Sequence, residues 1–132
     1  MTTTHDGVLG RVHTQPLETV ETLPISPANT PKTVTARCTE VQACCPVTLQ
    51  PDLYTVVIEY RPDKGEVIES KSLKLYLWKF RDRGISCEEL AATIANELSR
   101  AIESPVTVTA HQASRGGIEL SATHKGSVLD LD

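Results

Sequence analysis

The chain is poor in aromatic residues and has no excess of basic charge, and both scarcities exclude functions. One Trp, three Tyr and one Phe in 132 residues leave few platforms on which unstacked bases could lie, which argues against a single-strand nucleic-acid binder. Thirteen Lys and Arg against seventeen Asp and Glu give a formal net charge of −4. No basic footprint for tRNA or DNA is present, so the expectation is no direct nucleic-acid partner. Glycine is scarce as well, and no G-x-G-x-x-G turn occurs. The chain is also too short to hold a Rossmann domain beside a substrate domain. No apolar run approaches membrane-spanning length, and the first twenty residues contain no apolar core of a signal peptide. The expectation is a cytoplasmic chain with no membrane contact and with reduced thiols.

The four cysteines, Cys38, Cys44, Cys45 and Cys87, lack the paired C-x-x-C spacing of a zinc site. With His111 or His124 they could still supply ligands, but no metal is expected from this spacing. Adjacent Cys44 and Cys45 fit disulfide geometry poorly.

What is present is one domain. Residues 1–30 are rich in Thr and Pro and lack sustained periodicity; Pro16, Pro24, Pro27 and Pro31 break any long element. They read as an extended arm, either disordered or packed on a neighbouring subunit, ahead of a single domain over 31–132. With 39% hydrophobic residues and few aromatics, the core must be built of Val, Leu, Ile and Ala. Lys32 to Val41 and Tyr54 to Tyr60 alternate as strands. Ser70 to Phe80 carries Leu73, Tyr76 or Leu77, and Phe80 on one helical face, with Lys71, Ser72 and Lys74 projecting elsewhere. Ser86 opens a second helix with Glu89 completing a capping box, and its stripe of Leu90, Ala91, Ile94, Leu98 and Ile102 runs to about Glu103, before Pro105. Val106 to Ala110 and Ile118 to Ser121 follow as strands around Gly116-Gly117. The order ββααββ predicts an α+β layer: an antiparallel four-stranded sheet with two helices on one face.

Between the first two strands, Pro46 and Pro51 stiffen a loop that runs from Cys45 to Asp52. A thiolate is a nucleophile, and an aspartate held near it can give or take a proton. Lysines such as Lys71 and Lys74 can hold phosphates as point charges, although such a pair is otherwise an ordinary solvated helix face.

Cys45-Pro46-Val47-Thr48 with Gln50-Pro51-Asp52, the unbroken run Glu69-Ser70-Lys71-Ser72-Leu73-Lys74-Leu75-Tyr76, Phe80-Arg81, Glu88 and Arg115-Gly116-Gly117-Ile118 together resemble the NADPH-dependent nitrile reductases of queuosine biosynthesis, in their single-module form. The resemblance covers roughly residues 35 to 120. It implies a tunnelling fold (T-fold), in which subunits pair edge strands into homo-oligomeric rings, stacked pentamers among the arrangements. It also implies reduction of the small-molecule substrate 7-cyano-7-deazaguanine to its aminomethyl form with NADPH, within the pathway of a tRNA modification.

By that resemblance Cys45 attacks the nitrile to form a thioimide and Asp52 supplies the proton. Ile68, Glu69, Ser70, Cys87 and Glu88 bind the base, and Lys71, Ser72, Lys74 and Arg115 bind the cofactor. Tyr76 either adds a hydrogen bond or belongs to the core. Two departures stand out. Leu49 occupies a place where a small residue such as Gly is usual, and Cys87 stands where the family carries His before the Glu. Two alternatives are a relative that aminates the nitrile to an amidine, with the same nucleophile but usually without the intact lysine run, and a ring-forming module that binds the deazapurine without turnover.

Overall fold

The computed structural model describes Val12 and residues 14–129. In chain order the elements are β1 (Thr22–Pro24), a single 3₁₀ turn at Pro27–Asn29, β2 (Val34–Cys44), β3 (Pro51–Tyr60), β4 (Glu66–Ile68), α1 (Ser70–Trp78), α2 (Cys87–Ile102), β5 (Val106–Arg115) and β6 (Ile118–Lys125). The longer strands form one antiparallel sheet in the order β2-β3-β5-β6. Both helices come between β3 and β5, so the expected ββααββ order holds. The short β1–β4 ribbon is an addition to it.

Alternation makes β3 the centre of the sheet. Asp52, Tyr54, Val56, Ile58 and Tyr60 point into the core and their neighbours point away, as a two-residue side-chain period requires. On the same side of the sheet, over β5 and β6, lies α2, whose Leu90, Ala91, Ile94, Ala95, Leu98 and Ile102 recur at helical spacing and are buried. Each large aliphatic group there contributes about 1.5–3 kcal/mol by leaving water. Truncating Leu98 to Ala would cost roughly 2–5 kcal/mol, since the surroundings cannot fully close the gap. The Ser86 hydroxyl accepts from the Glu89 amide at 3.1 Å and starts this helix. Glu103, in the left-handed region at φ 56, ends it. Ser99 ties the helix to the sheet: its hydroxyl donates to the Ala95 carbonyl and accepts from the Val106 amide.

Three local expectations need correction. Asp52 is not in the loop but is the second residue of β3, because the strand begins at Pro51. Ser72 does not project with the lysines; it is fully buried beside Leu73 and Tyr76. The reason is that α1 is covered on two sides, by the core and by residues 17–24. From Leu17 onward, residues of the segment expected to be an arm pack on their own chain. Val20 is buried, Leu17 N–H donates to the Leu75 carbonyl, and Lys79 Nζ donates to the Glu18 carbonyl at 2.7 Å. Residues 1–11 and 13 of the expected arm lie outside the described residues.

Candidate active site

The loop between β2 and β3 is a single closed turn. Cys45 N–H donates to the Gln50 carbonyl at 2.8 Å, and Leu49 N–H donates back to the Cys45 carbonyl at 2.8 Å. Leu49 closes it with φ 60, a left-handed conformation that costs a side-chain-bearing residue about 1–2 kcal/mol. The place where glycine is usual is therefore a place where the backbone calls for it. The base of the loop is fastened to the segment before α2: Cys44 N–H donates to the Arg83 carbonyl and Ile85 N–H to the Cys44 carbonyl. Gly84 fits there because a β-carbon would lie 3.3 Å from Pro46 Cα.

The two adjacent cysteines are distinguished by what surrounds them. Cys44 Sγ turns towards the Arg81 carbonyl, at 3.4 Å. Cys45 is partly exposed. The hydroxyl and amide of Thr48, the Val47 amide and the Arg115 guanidinium hold its thiol down at about 7, against a small opposing effect of burial. Hydrogen bonds that favour the charged form do this. At neutral pH about half of such a group is thiolate, the form that attacks. Burial pushes the Cys38 thiol up, and burial with the nearby Glu88 charge does the same for Cys87.

Asp52 is 2% exposed, and its Oδ1 is 2.5 Å from Arg115 Nη1. A lone carboxylate at that depth would lose its hydration without return, so the guanidinium is what keeps it in place. Arg115 Nη2 reaches Gln112 Oε1 at 3.4 Å, and Gln112 Nε2 donates to the Tyr54 hydroxyl at 2.9 Å. Burial raises that phenol. Arg115, expected with the lysines, thus belongs to the Cys45–Asp52 group. Sequence reasoning missed Tyr54 and Gln112 as members; their only signal was their place on paired strands.

The residues expected to bind a base are not brought together within the chain: Ile68, Glu69 and Ser70 lie at the Tyr60 end of β3, whereas Cys87 and Glu88 open α2 near the Asp52 end. Ile68 ends β4, and Glu69 caps α1. Its carboxylate accepts from the Lys71 amide at 2.8 Å and from the Ser72 amide at 2.7 Å, the ordinary way to satisfy the first amides of a helix. Ser70 and Glu88 are exposed, Glu88 in the first turn of α2. Cys87 differs from expectation: it is 1% exposed and its thiol points at the Ala110 carbonyl, 3.5 Å away. It faces the sheet because it opens the buried stripe of α2.

Lys71 and Lys74 line an open groove of about 910 Å³ between α1 and the edge strand β2, with Arg81 at its far end. Arg81 stacks over Trp78, 5.2 Å from the ring centroid. Three cations along apolar walls fit a phosphate-bearing, partly apolar cofactor. The Ser72 hydroxyl is not part of this groove; it is buried against the backbone of Glu21 and Glu69. Tyr76 is core too: its hydroxyl donates to Glu97 Oε1 at 2.6 Å, and burial holds its phenol protonated. His111, on β5, meets the Ser121 hydroxyl at 2.8 Å at the surface. Among the described residues no helix is long and apolar enough to cross a membrane.

Comparison with known proteins gives concordant matches. The model of the QueF-like protein family matches residues 51–127. A 7-cyano-7-deazaguanine reductase of Frankia casuarinae, described as NADPH-dependent, is 43% identical over 117 residues, 87% of this chain and 90% of that one. One of the same description from Alkalilimnicola ehrlichii is 41% identical over 106 residues, 80% of this chain and 81% of that one. Among solved structures, an archaeosine synthase QueF-Like in its apo form superposes with a TM-score of 0.68 at 26% identity, over 74% of this chain and 96% of that one.

Proposed function

The chain belongs to the QueF-like protein family, and on that footing we propose that it is an NADPH-dependent enzyme that reduces the nitrile of 7-cyano-7-deazaguanine to the aminomethyl group. The observation that carries this reading is the pairing of a thiol held at about 7 with the buried Asp52–Arg115 couple across one closed loop. A module that only binds a base has no need of a lowered thiol.

The chemistry follows from these residues. Cys45 Sγ adds to the electrophilic nitrile carbon, and the C≡N bond becomes a C=N bond of a thioimide. The proton that left the thiol passes by way of Asp52 to the nitrile nitrogen, so charge balances. Arg115 holds Asp52 at the loop and favours the thiolate. Bound NADPH would supply the hydrides that take the thioimide to the amine. Lys71, Lys74 and Arg81 would hold its phosphates along the groove. Glu88, exposed near the Asp52 end of β3, holds the base, whose ring N–H and amino group its carboxylate can accept together; Ser70, with Glu69 fixing the turn into α1, reaches the base bound by the next subunit of the ring. Ile68 and Ser72 act through the backbone they fix, and Cys87 through packing.

Among the described residues the outer edges of β2 and β6 pair with no further strand beyond the Cys44–Gly84 bridge, and Ile118 and Leu120 are exposed on β6. Such edges in a folded protein must be covered or paired. The reading is a homo-oligomeric ring that closes by pairing β2 of one subunit with β6 of the next. A light-scattering mass of one chain at micromolar concentration with full activity would contradict it.

One observation favours a second reading. One solved structure that superposes on this chain is an archaeosine synthase QueF-Like, and a thioimide can also be opened by ammonia to give an amidine. The decisive assay follows NADPH absorbance with the nitrile added. Two equivalents consumed per nitrile is the expected result; amidine formed from ammonia with NADPH unchanged would replace the reductase by the second reading.

A further inference from the structure

The run Glu69 to Tyr76 contains one hydroxyl that cannot reach any ligand from where it lies. Ser72 is fully buried. Its Oγ donates to the Glu69 carbonyl at 2.7 Å and accepts from the Glu21 amide at 2.9 Å. The carbonyl of that same Glu21 accepts from the Glu69 amide at 2.9 Å. Both backbone groups of one strap residue are therefore spent on the motif.

The neighbouring contacts extend the same connection. Thr22 pairs with Ile68 in the β1–β4 ribbon, and the Thr22 hydroxyl donates to Glu66 at 2.6 Å. From the core side, the Ile68 amide donates to the Tyr60 hydroxyl at 2.9 Å. Ile68 and Glu69 are thus held between the strap and the sheet, and Ser70 follows them at the surface. In this arrangement the segment has no freedom to shift along α1 unless the strap moves with it.

We propose that Ser72 and the Glu21 backbone form a buckle through which residues 17–24 set the position of the base-reading segment Ile68–Ser70, which makes Ser72 and Glu21 positioning residues for substrate affinity. The inference rests on the reading of that segment as a base site. Small displacements of such groups are expensive, because hydrogen bonds to a ligand weaken steeply with distance and angle.

The test is calorimetric binding of 7-cyano-7-deazaguanine to the full chain on a Cys45→Ala background, where binding is separate from adduct formation. Ser72→Ala removes the hydroxyl from the α1 side. Glu21→Pro removes the amide donor from the strap side and leaves α1 untouched. Glu21→Ala keeps that amide and isolates the side chain. Ser72→Ala and Glu21→Pro should each weaken the base about tenfold, and together no more than the stronger alone, because both cut the same bond. With Cys45 intact, the pH profile of its alkylation should stay that of the parent. A purely structural role would lower the melting temperature and leave the affinity of the folded protein unchanged; that result overturns the inference even if Ser72→Ala proves too unstable to assay, because Glu21→Pro reports alone. If the parent binds no base, the reductase reading fails and takes this inference with it. If the parent binds and both variants bind equally well, only the buckle is wrong.

Discussion

Arg115 Nη1 and Asp52 Oδ1 lie 2.5 Å apart although 63 residues separate them in the chain. One end of this pair is buried and the other half-exposed. The register that sets Tyr54 opposite Gln112 brings the end of β5 to the start of β3, and thus the guanidinium to both the carboxylate and Cys45.

The thiolate of Cys45 should therefore titrate early. Its lowered group loses charge as pH falls through about 7, so the rate of alkylation by iodoacetamide should climb with pH and level off just above neutrality. Thr48→Val should move that inflection towards higher pH, and Arg115→Gln should move it by less, since Thr48 is the larger cause. An inflection that stays in place in Thr48→Val would show that the loop does not tune the thiol.

Cys45→Ala should abolish turnover and leave the fold intact, because it removes the proposed nucleophile and little core. Intact mass of the wild type with nitrile and no NADPH should show one adduct, and digestion should place it on Cys45. An adduct on Cys44 would contradict the orientation of that thiol towards the Arg81 carbonyl.

Leu49→Gly should stabilise the chain. The left-handed φ of Leu49 is strained and its side chain is 68% exposed, so relief of about 1 kcal/mol is set against a smaller loss in chain entropy. A net gain of roughly 0.5 kcal/mol corresponds to a melting temperature about 2 °C higher. A lower melting temperature would mean that the contact of Leu49 with the Gly84 segment outweighs the strain.

Lys71→Ala combined with Lys74→Ala should raise the KM for NADPH by roughly tenfold, two charge-assisted contacts being lost. The Cys45 adduct should form at an unchanged rate, because cofactor phosphates play no part in that step. Loss of the adduct in the double variant would assign the lysines to the base.

Cys87→His should lower stability, not restore activity. The thiol is 1% exposed, against Ala110, and forcing an imidazole into that space costs about 1–3 kcal/mol by overpacking. Urea unfolding would show it as a lower midpoint. An unchanged midpoint with faster turnover would mean that the helix N-terminus opens to admit the ring.

The parts of this molecule that could be read from sequence are those governed by local periodicity. The alternation from Tyr54 to Tyr60, the Ser86 cap and the stripe from Leu90 to Ile102 all mark elements that stand where expected. What was not legible depends on a second element arriving from far away. Ser72 turns inward because residues 17–24 lie over α1, and no pattern within α1 announces that cover. Asp52 sits on a strand because β2 continues to Cys44, past a bulge between Cys38 and Val41, and extends its partner to Pro51. The grouping of Arg115 with Asp52 instead of with the lysines follows from strand register alone, which side-chain chemistry does not specify.

The hydrogen-bonded bridge between Cys44 and Gly84 has a bearing on how the chain tolerates change. It joins the nucleophile's loop to the four residues that lead into α2 and Glu88, so any insertion or deletion between Trp78 and Ser86 would be transmitted to Cys45 within one peptide unit. Natural length variation should avoid this stretch and collect instead in the Arg61–Gly65 turn, which is separated from Cys45 by the length of β3 and reaches only Ile68, through β4. At residue 84 alanine would set its β-carbon 3.3 Å from Pro46 Cα, so it fits only if the Cys45 loop gives by a few tenths of an ångström. A library of one-residue insertions scored for folding and for the Cys45 adduct would separate the two regions: the turn would keep both, and the stretch before α2 would lose the adduct first.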